Sequence, residues 1–426
     1  VSTHGAVEAV WRIESARVIA GLARMVRDVG LAEELAQDAL VAALEQWPET
    51  GVPRNPGAWL MTTAKRRAVD LFRRNETLGR KLGELGRAQE QLGEGVLPDF
   101  DAILDDEHIE DDLLRLVFTA CHPVLPMQGR VALTLRMLGG LSTDEIARAF
   151  LVKDSAVAQR IVRAKKALAD AQVPFEVPVG EERMARLPAV LEVIYLIFNE
   201  GYSATRGDDW MRPALCADAL RLGRVLAGLM PTEPEVHGLV ALLEIQASRS
   251  AARTGPNGEP VLLLEQDRSR WDRLLIKRGL DALTRSEELA EGAYGPYSAQ
   301  AAIAACHARA LAPEDTDWTR IALLYEGLAQ LTPSPVIELN RAVAVSMASG
   351  PAAGLALVDR LVDESALKNY HLLPSVRGDL LEKLGRHDEA RAEFERAAEM
   401  TGNARERALL RDRAASCAQE AAGVQS

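Results

Sequence analysis

The chain is poor in cysteine, poor in aromatic residues and without long apolar runs. Its 426 residues carry four cysteines, Cys121, Cys216, Cys306 and Cys417. They are widely spaced and form no CxxC. That excludes a disulfide-stapled scaffold and a zinc ribbon, and leaves buried thiols in a reducing compartment as the expectation. Aromatics make up 4% of the chain, and runs of four or more β-branched residues are absent. Ala, Leu, Arg and Glu dominate instead, which favours helix over sheet. The fold class expected is all-α. There is no apolar run of 18 residues and no signal-peptide pattern, so a cytoplasmic protein with no membrane partner is expected. Phosphate-binding loops, GxSxG and HExxH motifs and dinucleotide fingerprints are also missing. The seven histidines are scattered. Carboxylate pairs such as Asp105-Asp106 and Asp208-Asp209 read as solvated loop charge. No catalytic residue, no metal site and no cofactor is expected.

What is present is sorted charge. The formal net charge is −12, which argues against nonspecific wrapping of nucleic acid. Yet basic residues cluster at 65–74 and 160–166. Acidic ones concentrate at 99–112, DFDAILDDEHIEDD, which holds no Lys or Arg.

The stretch LSTDEIARAFLVKDSAVAQRIVRAKKAL, 141–168, reads as two helices joined by a tight turn. Ser142 and Glu145 have capping-box spacing. Asp154 or Ser155 is placed to cap the second helix. Val157, Ile161, Ala164 and Leu168 share one face of it. Gln159, Arg160, Arg163 and Lys166 lie elsewhere on its surface. An apolar back with a basic front is what a major-groove reader needs.

Residues 31–75 carry a second pattern. An amphipathic helix presents Glu33, Glu34 and Asp38. Pro48, Gly51, Pro53, Pro56 and Gly57 break the chain into a loop. A basic helix follows, with Lys65, Arg66, Arg67, Arg73 and Arg74 interleaved among Trp59, Leu60, Ala64, Ala68, Leu71 and Phe72. Helices are expected near 6–28, 31–47, 56–74, 109–121, 126–138, 142–150 and 154–170. Helical periodicity resumes beyond 180, with loops marked at 254–260, 293–298 and 332–335.

Residues of roughly 8–170 resemble a bacterial sigma factor of the extracytoplasmic-function type. AEELAQDALVAALEQW resembles the family's region 2.2, PGAWLMTTAKRRAVDLFRR its regions 2.3 and 2.4, and 109–168 its region 4. The resemblance implies a non-enzymatic subunit that gives core RNA polymerase its promoter specificity. It implies polymerase binding by Glu33, Glu34, Gln37 and Asp38. Arg66 and Asp70 stand where the family reads the −10 element, beside a phosphate track of Lys65, Arg67, Arg73 and Arg74. Ser155, Gln159, Arg160, Arg163 and Lys166 are the candidates for the −35 element. Two departures from the family pattern are Leu151, where a turn glycine is usual, and Lys153, where a capping Ser or Thr is common.

The domains expected are region 2 at 1–75, an acidic linker at 76–108, region 4 at 109–172 and a helical extension at 173–426. The acidic linker suits the basic RNA exit path of polymerase, or serves as a tether. The extension resembles that of a sigma subgroup with a TPR-like C-terminal domain, for which NEGYSAT, QDRSRWD and LNRAVAV are suggestive. Gly378, Leu381, Ala390, Phe394 and Ala397 match a TPR helix pair, although Gly402 stands where the consensus has proline. Ala342, Val345, Gly354, Val358 and Leu361 repeat the spacing 36 residues earlier. Such an extension is expected to be regulatory, either shielding the DNA-binding domains or receiving a partner protein. The rival readings are a helix-turn-helix regulator with a TPR-like sensor, and a helical scaffold. The 31–75 segment discriminates, because neither rival needs a polymerase-binding or DNA-opening helix.

Overall fold

The computed structural model describes residues 3–85, 109–150, 152–203, 211–256 and 259–424. The described residues form eighteen α-helices with short 3-10 turns between them. Their only extended pairing is an isolated bridge between Thr254 and Pro260. The chain divides into two compact units, 1–194 and 195–426. The division falls inside α8 (Gly180–Tyr202).

In the first unit, α1 (Thr3–Val26), α2 (Val29–Thr50) and α3 (Pro56–Leu85) pack together, and α1 also packs on α4 (Ile109–Ala120). Asp28 caps α2 by accepting from the Leu31 amide at 2.9 Å. The core between these helices holds Ile19, Leu22, Leu35, Ala36, Ala39, Trp47, Leu60, Ala64 and Ala68. Burying one large apolar side chain of this kind stabilises by roughly 1.5–3 kcal/mol. The alanines let the helix axes approach, and Trp47 fills what they leave.

Two helix ends differ from the sequence expectation. α2 passes through Pro48 to Thr50. Proline there costs one amide bond near the helix end, and the Gly51 amide closes the last turn on the Trp47 carbonyl at 2.9 Å. α3 continues past 74 to Leu85. The helix thus enters LGRKLGELGRAQEQLGEG, which reads from sequence as partly helical with glycines weakening it.

α5 (Met127–Met137), α6 (Thr143–Phe150) and α7 (Asp154–Asp170) complete the helix-turn-helix portion. Val157, Ile161, Ala164 and Leu168 are its buried stripe on α7, as the periodicity requires. α7 begins on Lys153, which makes no side-chain cap bond. Asp154 is already helical, and neither it nor Ser155 caps the helix. A carboxylate in the first turn favours the positive end of the helix dipole instead.

The second unit continues after α8 with α9 (Pro213–Leu229), α10 (Pro234–Ala247), α11 (Arg273–Leu289) and α12 (Pro296–Arg309). Next come α13 (Trp318–Leu331), α14 (Pro335–Ser349), α15 (Pro351–Val358), α16 (Leu372–Lys383), α17 (His387–Met400) and α18 (Ala404–Val424). Prolines at 213, 234, 296, 335 and 351 each open a helix, where a missing amide costs nothing. The expected loops at 293–298 and 332–335 are correspondingly shorter. Apolar clusters succeed one another along this unit, α10–α12 first, then α12–α14, then α14–α18. Each cluster shares a helix with the next, as in stacked repeats. The α16–α17 pair is held by Gly378, where an added Cβ would come within 2.9 Å of Phe394 Cε1. Ala390, Phe394 and Ala397 are fully buried against it. Upstream, α15 ends at Val358, and Leu361 falls in a 3-10 turn. Gly402 precedes Asn403, whose side chain accepts from the Arg405 amide at 3.0 Å and starts α18. That cap takes the place of the consensus proline.

The described residues hold no helix long and apolar enough to cross a membrane, and no cluster of three or more metal-ligating side chains. All four cysteines are free and buried. Burial pushes Cys121 up to about 11 and Cys216 up to about 12. These are unreactive thiols.

Candidate nucleic-acid interface

The basic front of α7 is an exposed stripe. Ser155, Gln159, Arg163 and Lys166 are exposed, and Arg160 is half-buried at its edge. The stripe stands because α6 holds the back of α7. Ser142 and Glu145 form the expected capping box. The Ser142 amide donates to Glu145 Oε2 at 2.8 Å, and the Glu145 amide donates to Ser142 Oγ at 3.3 Å. Glu145 Oε1 also takes Arg12 of α1 at 2.6 Å. Burial opposes charge on Glu145, but the bonds from Ser142 and Arg12 hold its carboxyl below the ordinary range. Ile146 and Ala147 are buried and Phe150 is half-buried. Leu151 lies outside the described residues.

Among the described side chains of α3, Thr62, Arg66, Asp70 and Arg73 are exposed, the last three spaced i, i+4, i+7 on one face. Lys65 and Arg67 are half-buried beside them. Arg67 reaches Asp38 of α2 at 3.3 Å. The Arg74 side chain lies outside the described residues. Asn55 opens the helix by accepting from the Ala58 amide at 3.1 Å. Trp59 is half-buried and meets Trp47 edge-on, with ring centroids 5.3 Å apart. The acidic stretch at 99–108 is also outside the described residues.

On α2 the four acidic and amide residues do not share one exposed face. Glu34 and Asp38 are exposed and Gln37 is half-buried. Glu33 is 4% exposed. Its carboxylate is held by Arg136 Nε of α5 at 2.8 Å and Lys165 Nζ of α7 at 2.6 Å. A buried carboxylate is tolerable only when paired this fully. Arg24 of α1 reaches Asp112 of α4 at 3.1 Å, and Arg12 reaches Glu145. Three ion-pair sets thus join α1 and α2 to α4–α7.

Sequence reasoning passes over Lys165, although a signal exists. Lys165 follows Ile161 by four and precedes Leu168 by three, so it belongs to the shoulder of the buried stripe and not to the basic front.

Comparison with known proteins fits this geometry. The sigma-70 region 2 family matches residues 12–77 and the sigma-70 region 4 family matches 115–168. A family of unknown function, DUF6596, matches 186–287. An uncharacterised protein of Rhizobium meliloti (strain 1021) is 45% identical over 400 residues, 93% of this chain and 92% of its own length. The ECF RNA polymerase sigma factor SigK of Mycobacterium ulcerans (strain Agy99) is 30% identical over 36% of this chain and 78% of its own length. SigK of Mycobacterium tuberculosis (strain ATCC 25177 / H37Ra) is 29% identical over 36% of this chain and 78% of its own. No solved structure matches the chain. With both sigma regions in order, each carried by the helices that the chemistry requires, the chain belongs to the extracytoplasmic-function sigma factors of the sigma-70 family.

Proposed function

We propose that this sigma factor recruits core RNA polymerase through α2 and reads promoter DNA with α3 and α7. The observation that carries the reading is the α7 stripe: an apolar back buried to the last residue, and a front of Ser155, Gln159, Arg163 and Lys166 turned outward with Arg160 half-buried at its edge. Arginine and glutamine pair with guanine and adenine edges in the major groove, each good bidentate pair being worth about 1–3 kcal/mol of discrimination. We assign this face to the −35 element. The Arg66, Asp70 and Arg73 face of α3, with Lys65, Arg67 and Arg74, is assigned to the opened −10 element, where a basic track supports unpaired bases.

Polymerase binding is assigned to Glu34, Gln37 and Asp38, with Glu33 available only when Arg136 and Lys165 release it. Acidic and amide groups suit an arginine-rich partner surface. The domain limits proposed are region 2 at 1–75, linker at 76–108, region 4 at 109–172 and extension from 173. The action is non-catalytic and cytoplasmic, where promoter and polymerase are. The extension, more than half the chain, is assigned a regulatory role toward a partner protein. A helix-turn-helix regulator outside polymerase is not favoured, since it leaves α2 and α3 without a task.

The test is holoenzyme formation. Gln37→Ala combined with Asp38→Arg is expected to abolish co-elution with core polymerase while the helical circular-dichroism signal stays unchanged. The sites are half-buried and exposed, so folding tolerates the change. Normal co-elution of the double variant would remove the α2 assignment.

A further inference from the structure

Two stretches that promoter recognition does not use, NEGYSAT at 199–205 and QDRSRWD at 266–272, bring Tyr202, Arg268 and Trp271 together in the second unit. NEGYSAT contributes Tyr202 at the end of α8. QDRSRWD forms a 3-10 turn ahead of α11 and contributes Arg268 and Trp271. Arg249 and Arg253 follow α10 and enter the same cluster. The Arg249 guanidinium carbon lies 5.7 Å from the centroids of both the Tyr202 and Trp271 rings. Arg253 sits 3.4 Å over Tyr202, and Arg268 lies 5.1 Å from Trp271. His307 of α12 adjoins, its carbonyl accepting from Arg268 at 3.0 Å.

Arg249 donates through Nη2 to Tyr202 Oη and Gln246 Oε1, yet Arg249 and Arg268 carry more positive charge and more donors than their described surroundings satisfy. Asp267 and Asp272, the acids within QDRSRWD, serve helix starts. Asp267 accepts from the Ser269 amide, and Asp272 from the Leu274 and Leu275 amides. Among the described residues no carboxylate stands within ion-pair distance of Arg249 or Arg268. Glu314 and Asp315 act on Arg268 only at longer range. Burial first, and then Arg249, hold the Arg268 guanidinium below its ordinary value. Arg249 Nε, Arg268 Nε and Trp271 Nε1 are buried donors with no partner among the described residues, and His307 Nδ1 is likewise unpartnered. Arg268 and Trp271 are 4% and 3% exposed. Buried donors left unmade cost about 1–3 kcal/mol each, and guanidiniums brought together without counter-charge repel. Both costs fall if an acceptor-rich anion joins them.

We propose that Arg249, Arg268 and Trp271 form a binding site for a phosphate-type oxyanion in the second unit. A tetrahedral oxyanion accepts from several directions at once, which suits donors arriving from two separate segments. Arg249 and Tyr202, both half-buried, form the side open to solvent. Arg268 is already anchored through its other nitrogens to the His307 and Ala310 carbonyls and to Thr316 Oγ. It is therefore pre-set for the ligand. The site gives the extension a means of sensing a small phosphorylated molecule or phosphate itself.

The experiment uses the full-length chain and inorganic phosphate, exchanged against chloride at constant ionic strength. At about 20 mM phosphate the melting temperature of the wild-type second unit should rise by about 3 °C. In Arg249→Gln most of that rise should vanish. Arg249 is half-buried, so this variant leaves the fold in place. In parallel, phosphorus-31 line broadening should saturate with the wild type and be absent with the variant. Should Arg249→Gln not fold, Arg249→Lys, which keeps the charge and loses Nε, is titrated instead and should bind phosphate about tenfold more weakly. An equal temperature rise in wild type and variant would mark a general salt effect and overturn the site, as would broadening that never saturates. A phosphorylated metabolite competing with inorganic phosphate would identify the source of the oxyanion as a small molecule.

Discussion

His307 shows what burial does to a single titratable group here. It is 7% exposed and meets Trp318 edge-on at 5.1 Å. Burial first, then Arg249 and Arg268, push its pKa down to about 3. An unfolded histidine titrates near 6.5. Between those values the unfolded chain takes up a proton that the folded chain refuses, so stability is complete above about pH 6.5 and is lost as pH falls toward 3. The unfolding free energy of the second unit should therefore drop through pH 6 and 5, by up to roughly 1.4 kcal/mol per pH unit, and the urea midpoint with it. His307→Gln should flatten that dependence. A wild-type midpoint that ignores pH across the window would contradict the burial argument. Glu33 is the opposite case, a charge kept buried by two cations. Its acidic neighbours Glu34 and Asp38 are legible as surface from helical spacing. Glu33 itself is not, because its partners lie more than a hundred residues away and long-range pairing leaves no local trace.

At the scale of elements, periodicity and capping carry most of the information. The α7 stripe, the Ser142–Glu145 box and the starts of α6 and α3 follow from local rules. Helix ends are less legible. Pro48 reads as a break although the last turn of α2 accommodates it, and α3 runs past the glycines at 79 and 83 that argue against it. The helix pair α16–α17 is readable because small and large residues alternate between the partners. Gly378 stands against Phe394 with no room for a side chain. Gly378→Val should destabilise the second unit by about 1–3 kcal/mol through overpacking, measured as a lower urea midpoint with an unchanged slope. A neutral outcome would mean that the pair is not closely packed. The Arg249–Trp271 cluster is beyond sequence reading. Its members come from three segments, and only the tertiary fold brings them together.

For the whole molecule, the central claim is a division of labour between two DNA-facing helices within one sigma factor. In the proposed reading α7 locates duplex DNA at −35, and α3 stabilises the opened strand at −10. The two tasks differ in what they need from the template. A base reader on duplex DNA gains nothing when the −10 strands are already apart, whereas a helix that holds an opened strand does. The net charge of −12 obscures both faces, since the basic residues cluster on them. The direct measurement is transcription by reconstituted holoenzyme on a duplex promoter and on the same promoter premelted at −10. Arg160→Ala with Arg163→Ala should lose about 5- to 150-fold on both templates, the equivalent of roughly 1–3 kcal/mol. Arg66→Ala should lose activity on the duplex and recover it on the premelted template. Equal rescue of both variants by premelting, or full activity of the Arg160/Arg163 variant on the duplex, would contradict the assignment of α7 and α3.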